Sequence, residues 1–356
     1  MRVFVLTDIP SPYQVEFFNE IEARSGCELE VGYLRSRDPE RHWKAGSIRH
    51  ESIQLDGSVH TLDRAREAVR RADLVVFNYY RHAWAEGLIE QRASQRGPWC
   101  FWGERPGVRQ PAWAGRILRK WKLSQLRTSA APIWGIGQFA IEGYRKEFGE
   151  RRAYCNLPYF SDLKRFGPRI SQMDTDRRVF LFSGSLIERK GIDLLARAFV
   201  RLAREFSHVR LKIAGEGKLK DALAQMLRPV REQVEFVGFK DWFELPELYK
   251  SADVLCVPSR YDGWGLVVPE GLTSGLPVIA TDRMGAALEF VRNGQNGWLI
   301  AAGDEEAIFR AMREAVLLSE SELGQLGRQA KESVSEHTLL HGVDRFVKYA
   351  QEAVHV

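Results

Sequence analysis

Cysteine is scarce in this chain: four in 356 residues, Cys27, Cys100, Cys155 and Cys256, with no CxxC pair among them. That argues against a structural zinc site or a disulfide framework and fits a reducing, cytoplasmic setting. No apolar run approaches the roughly 20 residues of a membrane span. The N-terminus passes from Met1-Arg2 into the short run Val3-Phe-Val-Leu6 and reaches Asp8 and Pro10 within signal-peptide length, so no leader is expected. Finger, helix-turn-helix and RNP signatures are absent, which leaves nucleic-acid binding without support. GxGxxG follows none of the predicted strands, and Gly215-Glu-Gly217 is too short a match to indicate a dinucleotide-dependent dehydrogenase.

What is present is a chain of 44% hydrophobic residues, too long for one ordinary core and suited to two domains. Its 52 Lys+Arg are interleaved with 47 Asp+Glu, and the net charge of +5 suits a pocket for a phosphorylated substrate as well as a polyanion. Strand-length apolar runs at residues 3–7, 29–34, 73–78, 98–102 and 132–136 alternate with helical spacing at 13–24 and 64–71. The second half repeats the theme, with strands at 179–183, 209–214, 234–237, 254–257, 278–280 and 298–300 and helices at 191–206, 218–227 and 244–251. Such alternation predicts α/β architecture with mostly parallel sheets. Two prolines, a glycine and a polar stretch place a linker near residues 166–176. The expected organisation is an N-terminal domain over 1–168, a C-terminal domain over 169–335 and a terminal helix over 336–356 that could pack back on the first domain. Two doubly wound units in tandem would face each other across a cleft at the carboxyl ends of their strands, where such sheets bind ligands. The amphipathic pattern of Leu339, Val343, Phe346, Val347 and Ala350 needs an apolar surface to cover.

Four segments of the second half suit an anionic ligand. Phe182-Ser-Gly-Ser-Leu-Ile-Glu-Arg-Lys-Gly191 follows a strand and opens a helix: small residues permit close backbone approach, and Arg189 and Lys190 bring two cations to a pyrophosphate. A solvated turn is the plain alternative. Val234-Glu-Phe-Val-Gly-Phe239 reads as a short buried strand whose glycine end could border a nucleobase, or as an ordinary strand end. Pro258-Ser-Arg-Tyr-Asp-Gly-Trp-Gly-Leu-Val-Val-Pro-Glu-Gly271 carries Asp262 and Glu270 around a glycine-rich loop. The amides of Gly265, Leu266 and Val267 could face an anion, and Glu270, a turn or more inside the helix, could accept from two vicinal hydroxyls such as a ribose presents. In Asp282-Arg-Met-Gly-Ala-Ala-Leu-Glu289, Gly285 would lie near the ligand and Glu289 would orient or cap the loop.

The order Gly184…Lys190-Gly191, Phe236-Val-Gly238, Asp262-x7-Glu270, Gly275-x-Pro277-Val278, Gly285…Glu289, Asn293-Gly294…Gly297 and Gly303-Asp304 resembles the donor domain of glycosyltransferase family 4, the retaining glycosyl transferases group 1 with the GT-B fold of two Rossmann-like domains. The likeness is dense over residues 179–305 and loose before them. It implies a retaining, metal-independent hexosyltransferase without a cofactor, moving a sugar from a nucleotide-diphosphate donor, UDP-sugar before GDP-sugar, to a sugar or lipid-linked saccharide hydroxyl in polysaccharide, lipopolysaccharide or glycolipid synthesis. On that likeness Arg189, Lys190, Asp262 and Glu270 carry the catalytic chemistry. Gly184, Ser185, Gly238, Phe239, Gly265, Leu266, Val267, Glu270 and Gly285 border the donor. The leaving phosphate would accept the acceptor's proton, so no dedicated base is required. Two departures stand out: Asp262 replaces the usual first glutamate, and Ser185 stands where many members carry arginine.

The N-terminal half would bind the acceptor through Tyr13, Asn78, Tyr80, Arg81, His82 and Glu104, any of which could equally be an ordinary loop residue. Its first loop has the stiffer Pro10-Ser-Pro-Tyr13 where many relatives carry paired glycines. Residues 113–127 mix tryptophans and aliphatics with cations and no acid. They read either as an interfacial helix that would make the enzyme peripheral on the cytoplasmic face of the inner membrane, or as a helix packed on the sheet with a solvated basic face. Trp43, Trp84 and Trp99 show no decisive spacing. Competing readings are a nucleotide-sugar epimerase, which would want several acid and base groups near the ligand, a phosphorylase, which would need a pyridoxal-phosphate lysine, and a non-catalytic nucleotide-sugar-binding subunit.

Overall fold

The computed structural model describes residues 1–37, 46–106, 112–167 and 177–355, for Ala112 the backbone alone. Trp43, the boundary expected between 168 and 169 and most of the expected linker lie outside them. The chain divides into two compact units, one formed by residues 1–162 with 337–356 and the other by residues 163–336.

In the first unit the strands are β1 (Arg2–Thr7), β2 (Glu28–Tyr33), β3 (Glu51–Gln54), β4 (Leu74–Phe77), β5 (Trp99–Gly103), β6 (Ile133–Gly135) and β7 (Tyr154–Asn156). They pair in parallel in the order β3-β2-β1-β4-β5-β6-β7. The direction of winding reverses between β1 and β4. The helix Leu339–Val354 belongs to this unit, where Phe346 meets Phe17 and Trp134 edge-on, at 6.2 and 5.6 Å between ring centroids. Just before it, His337 stacks on Phe160 at 4.5 Å. The apolar stripe on the terminal helix is therefore covered by the unit containing the N-terminus.

In the second unit β8 (Arg178–Ser183), β9 (Val209–Ala214), β10 (Val234–Gly238), β11 (Val254–Val257), β12 (Val278–Thr281) and β13 (Gly297–Ile300) form a parallel sheet in the order β10-β9-β8-β11-β12-β13. Its central strands read as continuous apolar runs because both faces are covered. The core runs from Phe180 and Phe182 through Leu195, Phe199 and Leu202 of the helix Ile192–Glu205 to Met312 and Ala315 of the helix Glu305–Leu317. Winding reverses between β8 and β11.

Several elements differ from those expected. The strand at 234–237 is not buried: it is the sheet edge, paired only with β9, and it leaves Glu235 and Phe236 exposed. Glu270 lies in the first turn of the helix Val267–Thr273, because the loop before it runs on through Leu266. The segment 113–127 is two helices, Ala112–Lys122 and Ser124–Thr128, separated by Leu123, which turns into the core.

Candidate functional site

At the carboxyl ends of β8 and β11 two loops are locked together. Gly191 follows the 3-10 turn Glu188–Lys190 and caps the start of the helix Ile192–Glu205 in the left-handed conformation, φ +68°. A Cβ there would stand 1.9 Å from the Pro258 carbonyl oxygen, so only glycine lets the first loop reach the second. The Arg260 amide donates to the Arg189 carbonyl at 2.8 Å, and the Arg260 guanidinium grips both oxygens of Asp193 at 2.7 and 2.8 Å. The same guanidinium also donates to the Glu188 carbonyl. This bidentate clamp fixes where Arg189 and Lys190 point.

Both cations converge on one carboxylate. Lys190 Nζ donates to Asp262 Oδ2, and Arg189 lies 3.4 Å from the same oxygen while also reaching the Tyr261 carbonyl at 3.3 Å. Burial pushes the Asp262 carboxyl up, but the Lys190 and Arg189 charges, the Lys190 hydrogen bond and the Trp264 amide outweigh it, so its pKa falls below the ordinary carboxylate range. Asp262 is held in turn by a backbone bridge to Met284, its amide donating to the Arg283 carbonyl at 3.0 Å. Gly285 follows at once, and the Ala286 amide donates to the Trp264 carbonyl at 2.9 Å, tying the loop after β12 to that after β11.

Glu270 is buried, 5% exposed, and the Tyr249 hydroxyl donates to its Oε2 at 2.8 Å. Burial, and then the Glu270 charge, push the Tyr249 phenol well above its usual pKa, so it remains a neutral donor. On the other side of β8, the Gly215 amide donates to the Gly238 carbonyl at 2.8 Å, while a Cβ on Gly215 would stand 1.9 Å from the Gly184 carbonyl. Gly184 and Gly238 thus flank Gly215 at the end of β9, with Ser185 and Phe239 exposed beside them. Gly265, φ +90°, leads through Leu266 into the helix containing Val267. A diphosphate-sized anion would find its cations at Arg189 and Lys190, where the winding reverses.

The first unit has its own network at the corresponding ends of β1 and β4. Asn78 Oδ1 accepts from Thr7 and Gln14, each at 2.9 Å, and its amide donates to the Trp102 carbonyl at 2.9 Å. Ser11 donates to Gln14 Oε1 at 2.7 Å. Tyr13 packs against Tyr159 at 4.8 Å, and Arg81 lies over the Tyr80 ring at 5.5 Å. His82 Nδ1 accepts from the Trp84 amide at 3.3 Å and caps the helix Ala83–Ser94, and its ring packs on Trp84. Glu104 is exposed, and its carbonyl accepts from the Tyr144 hydroxyl at 2.8 Å.

Residue-by-residue reading missed Arg260, Asp193, Tyr249 and Gln14. Arg260 stands in the segment Pro258–Gly271, two residues before Asp262, and that proximity was the available signal. Tyr249 gave none, because it reaches Glu270 from a separate helix, Leu245–Lys250. No described group of histidine, cysteine, aspartate and glutamate has a metal-binding arrangement.

The model of the family described as glycosyl transferases group 1 matches residues 164–333. The chain is 27% identical over 280 residues to the lipopolysaccharide core biosynthesis mannosyltransferase LpsB of Rhizobium meliloti, covering 70% of this chain and 75% of that one. It is 26% identical over 217 residues to the GDP-mannose-dependent monoacylated alpha-(1-6)-phosphatidylinositol monomannoside mannosyltransferase of Corynebacterium glutamicum, covering 56% and 54%. The aligned region spans from 31% to 56% of the length of the first three curated relatives it matches. Among solved structures, HepE of Anabaena in complex with UDP and glucose superposes with a TM-score of 0.76 at 16% identity, covering 99% of each chain.

Proposed function

Because the chain is a member of the glycosyl transferases group 1 family, glycosyltransferase family 4, with the GT-B fold, we propose that it transfers a hexose with retention from a nucleotide-diphosphate donor to a hydroxyl of a sugar or lipid-linked saccharide. The observation that carries this reading is the convergence of Arg189 and Lys190 on Asp262 at the reversal point of the second sheet, with buried Glu270 on the next helix. Arg189 and Lys190 bind the diphosphate and stabilise it as it leaves, where developing charge rewards preorganised cations. Glu270, aimed by Tyr249, accepts from the ribose hydroxyls. Gly184, Ser185, Gly238, Phe239, Gly265, Leu266, Val267 and Gly285 border the donor. Asp262 holds the cations in place while no donor is bound, a role its short arm can fill.

A UDP-sugar is the first donor to test, on the strength of the HepE complex, and a GDP-sugar the second, on that of the Corynebacterium enzyme. Tyr13, Asn78, Tyr80, Arg81 and Glu104 are proposed for the acceptor, with the Asn78 network setting the loop geometry. His82 serves that loop as a helix cap. The Rhizobium relative favours a lipopolysaccharide or related glycolipid pathway.

The deciding experiment is a thermal-shift panel of UDP, GDP, ADP and their sugar conjugates with chelator present. A ligand at a hundred times its Kd stabilises the folded state by about 2.7 kcal/mol. The reading expects one nucleotide to raise the Tm and Lys190→Ala to reduce that shift; no shift from any nucleotide would overturn it.

A further inference from the structure

The helix Ala112–Lys122 is inside out. Trp113, Ile117 and Trp121 are 68, 59 and 70% exposed, with Leu118 exposed beside them. The side turned inward carries Arg119, which is buried and paired with Glu147 at 3.0 Å. A helix that merely covered its sheet would bury the tryptophans and hydrate the arginine. At 3.6 residues per turn, Trp113, Ile117 and Trp121 fall within an arc of about 80°, and Arg116 and Lys120 line one edge of it. Both cations are exposed, and neither has an acidic partner among the described residues. Lys122 pairs with Glu86 and lies 5.3 Å from the Trp121 ring centroid. The helix itself contains no acid.

We propose that this face docks the protein on an anionic phospholipid surface, the helix lying in the plane of the interface with Trp113, Ile117 and Trp121 among the headgroups and Arg116 and Lys120 against lipid phosphates. Tryptophan suits that depth because it joins a large apolar ring to one polar N–H. Charge selects the occupant. A two-fold contact between copies of this chain would set Arg116 and Lys120 against the same cations with no helix acid to balance them. An anionic bilayer supplies the missing sign and the apolar volume together. Among the described residues no helix is long and apolar enough to cross a membrane. The inference is independent of the sugar-transfer reading.

The test is flotation of the full chain with vesicles of phosphatidylcholine alone and with about 30% phosphatidylglycerol. The protein should float with the anionic vesicles, with a blue shift of tryptophan emission, and detach as salt is raised. Trp113→Ser with Trp121→Ser should weaken binding at least about tenfold, and Arg116→Ser with Lys120→Ser by about twenty-five-fold, from roughly fivefold per cation. All four positions are exposed, so an unchanged Tm should confirm that the variants fold. Failure of the wild type to float, or flotation indifferent to the tryptophans, would overturn the proposal. So would self-association in sedimentation that the tryptophan substitutions abolish, since that would make a second copy the occupant.

Discussion

Tyr249 aims Glu270: its hydroxyl stands 2.8 Å from a carboxylate oxygen, and both side chains are buried. A hydrogen bond to a charged group contributes about 1.5–3 kcal/mol, and a buried carboxylate that loses its donor keeps the desolvation cost. The Tyr249 ring also packs edge-on against Phe166 at 5.4 Å.

Tyr249→Phe keeps that packing and removes only the hydroxyl. The expected outcome is a stability loss of about 1–3 kcal/mol in urea denaturation together with weaker nucleotide binding by calorimetry. Loss of stability with unaltered nucleotide affinity would separate Glu270 from the ribose.

Asp262 and Lys190 should behave oppositely although they touch. Lys190→Ala removes a cation from the diphosphate and should weaken binding of the free nucleotide about tenfold, one close charge interaction in a partly hydrated site. Asp262→Asn removes the carboxylate competing for that cation, so nucleotide should bind at least as tightly while turnover falls. The sign of the pH effect follows from the depressed Asp262 pKa: its contribution to stability is present above the unfolded value of about 3.9 and is lost as pH falls through the lower folded value. Denaturation curves of wild type and Asp262→Asn should therefore converge in strong acid.

The loop clamp gives a third test. Gly191→Ala puts a Cβ against the Pro258 carbonyl and an alanine into the left-handed region, which alone costs about 1–2 kcal/mol. The variant should lose more than that in denaturant and lose the nucleotide-induced Tm shift. Arg260→Lys, which keeps the charge but not the two-oxygen grip on Asp193, should retain most of the stability and lose part of the shift.

Much of the second unit was legible because its central strands, such as Val254–Val257 and Val278–Thr281, are apolar runs separated by loops whose glycines and charges keep a family's order. β3 escaped notice because Glu51-Ser-Ile-Gln54 has one strongly apolar residue, enough for a sheet edge and too few for a pattern. The three residues of β7 gave no period at all. The helix Val59–Arg71 begins before the 64–71 stretch whose spacing is helical, and Ser58, whose side chain accepts from the Thr61 amide at 3.3 Å, was its available start signal. Partnerships such as Lys190 with Asp262 or Tyr249 with Glu270 are set by the sheet order, which brings strand ends together irrespective of sequence distance.

The first unit should be the acid-sensitive one. His50 is buried with both ring nitrogens committed: Nδ1–H donates to Asn19 Oδ1 at 2.8 Å, and Nε2 accepts from the Tyr33 hydroxyl at 2.9 Å. Burial disfavours the charged ring and lowers its pKa to about 4. His337, buried against Phe160, donates from Nε2 to the Tyr159 carbonyl at 3.1 Å, and burial lowers its pKa to about 3. In the unfolded chain both protonate near pH 6.5, so between that value and the folded pKa values the unfolded state binds more protons and stability rises with pH. Each histidine should withdraw roughly 3 kcal/mol as pH falls from about 7 to 4. His50→Gln, which can keep one hydrogen bond but cannot titrate, should be less stable than wild type at neutral pH and lose less on acidification. Equal slopes of unfolding free energy against pH for the two proteins would show that His50 is not part of the acid response.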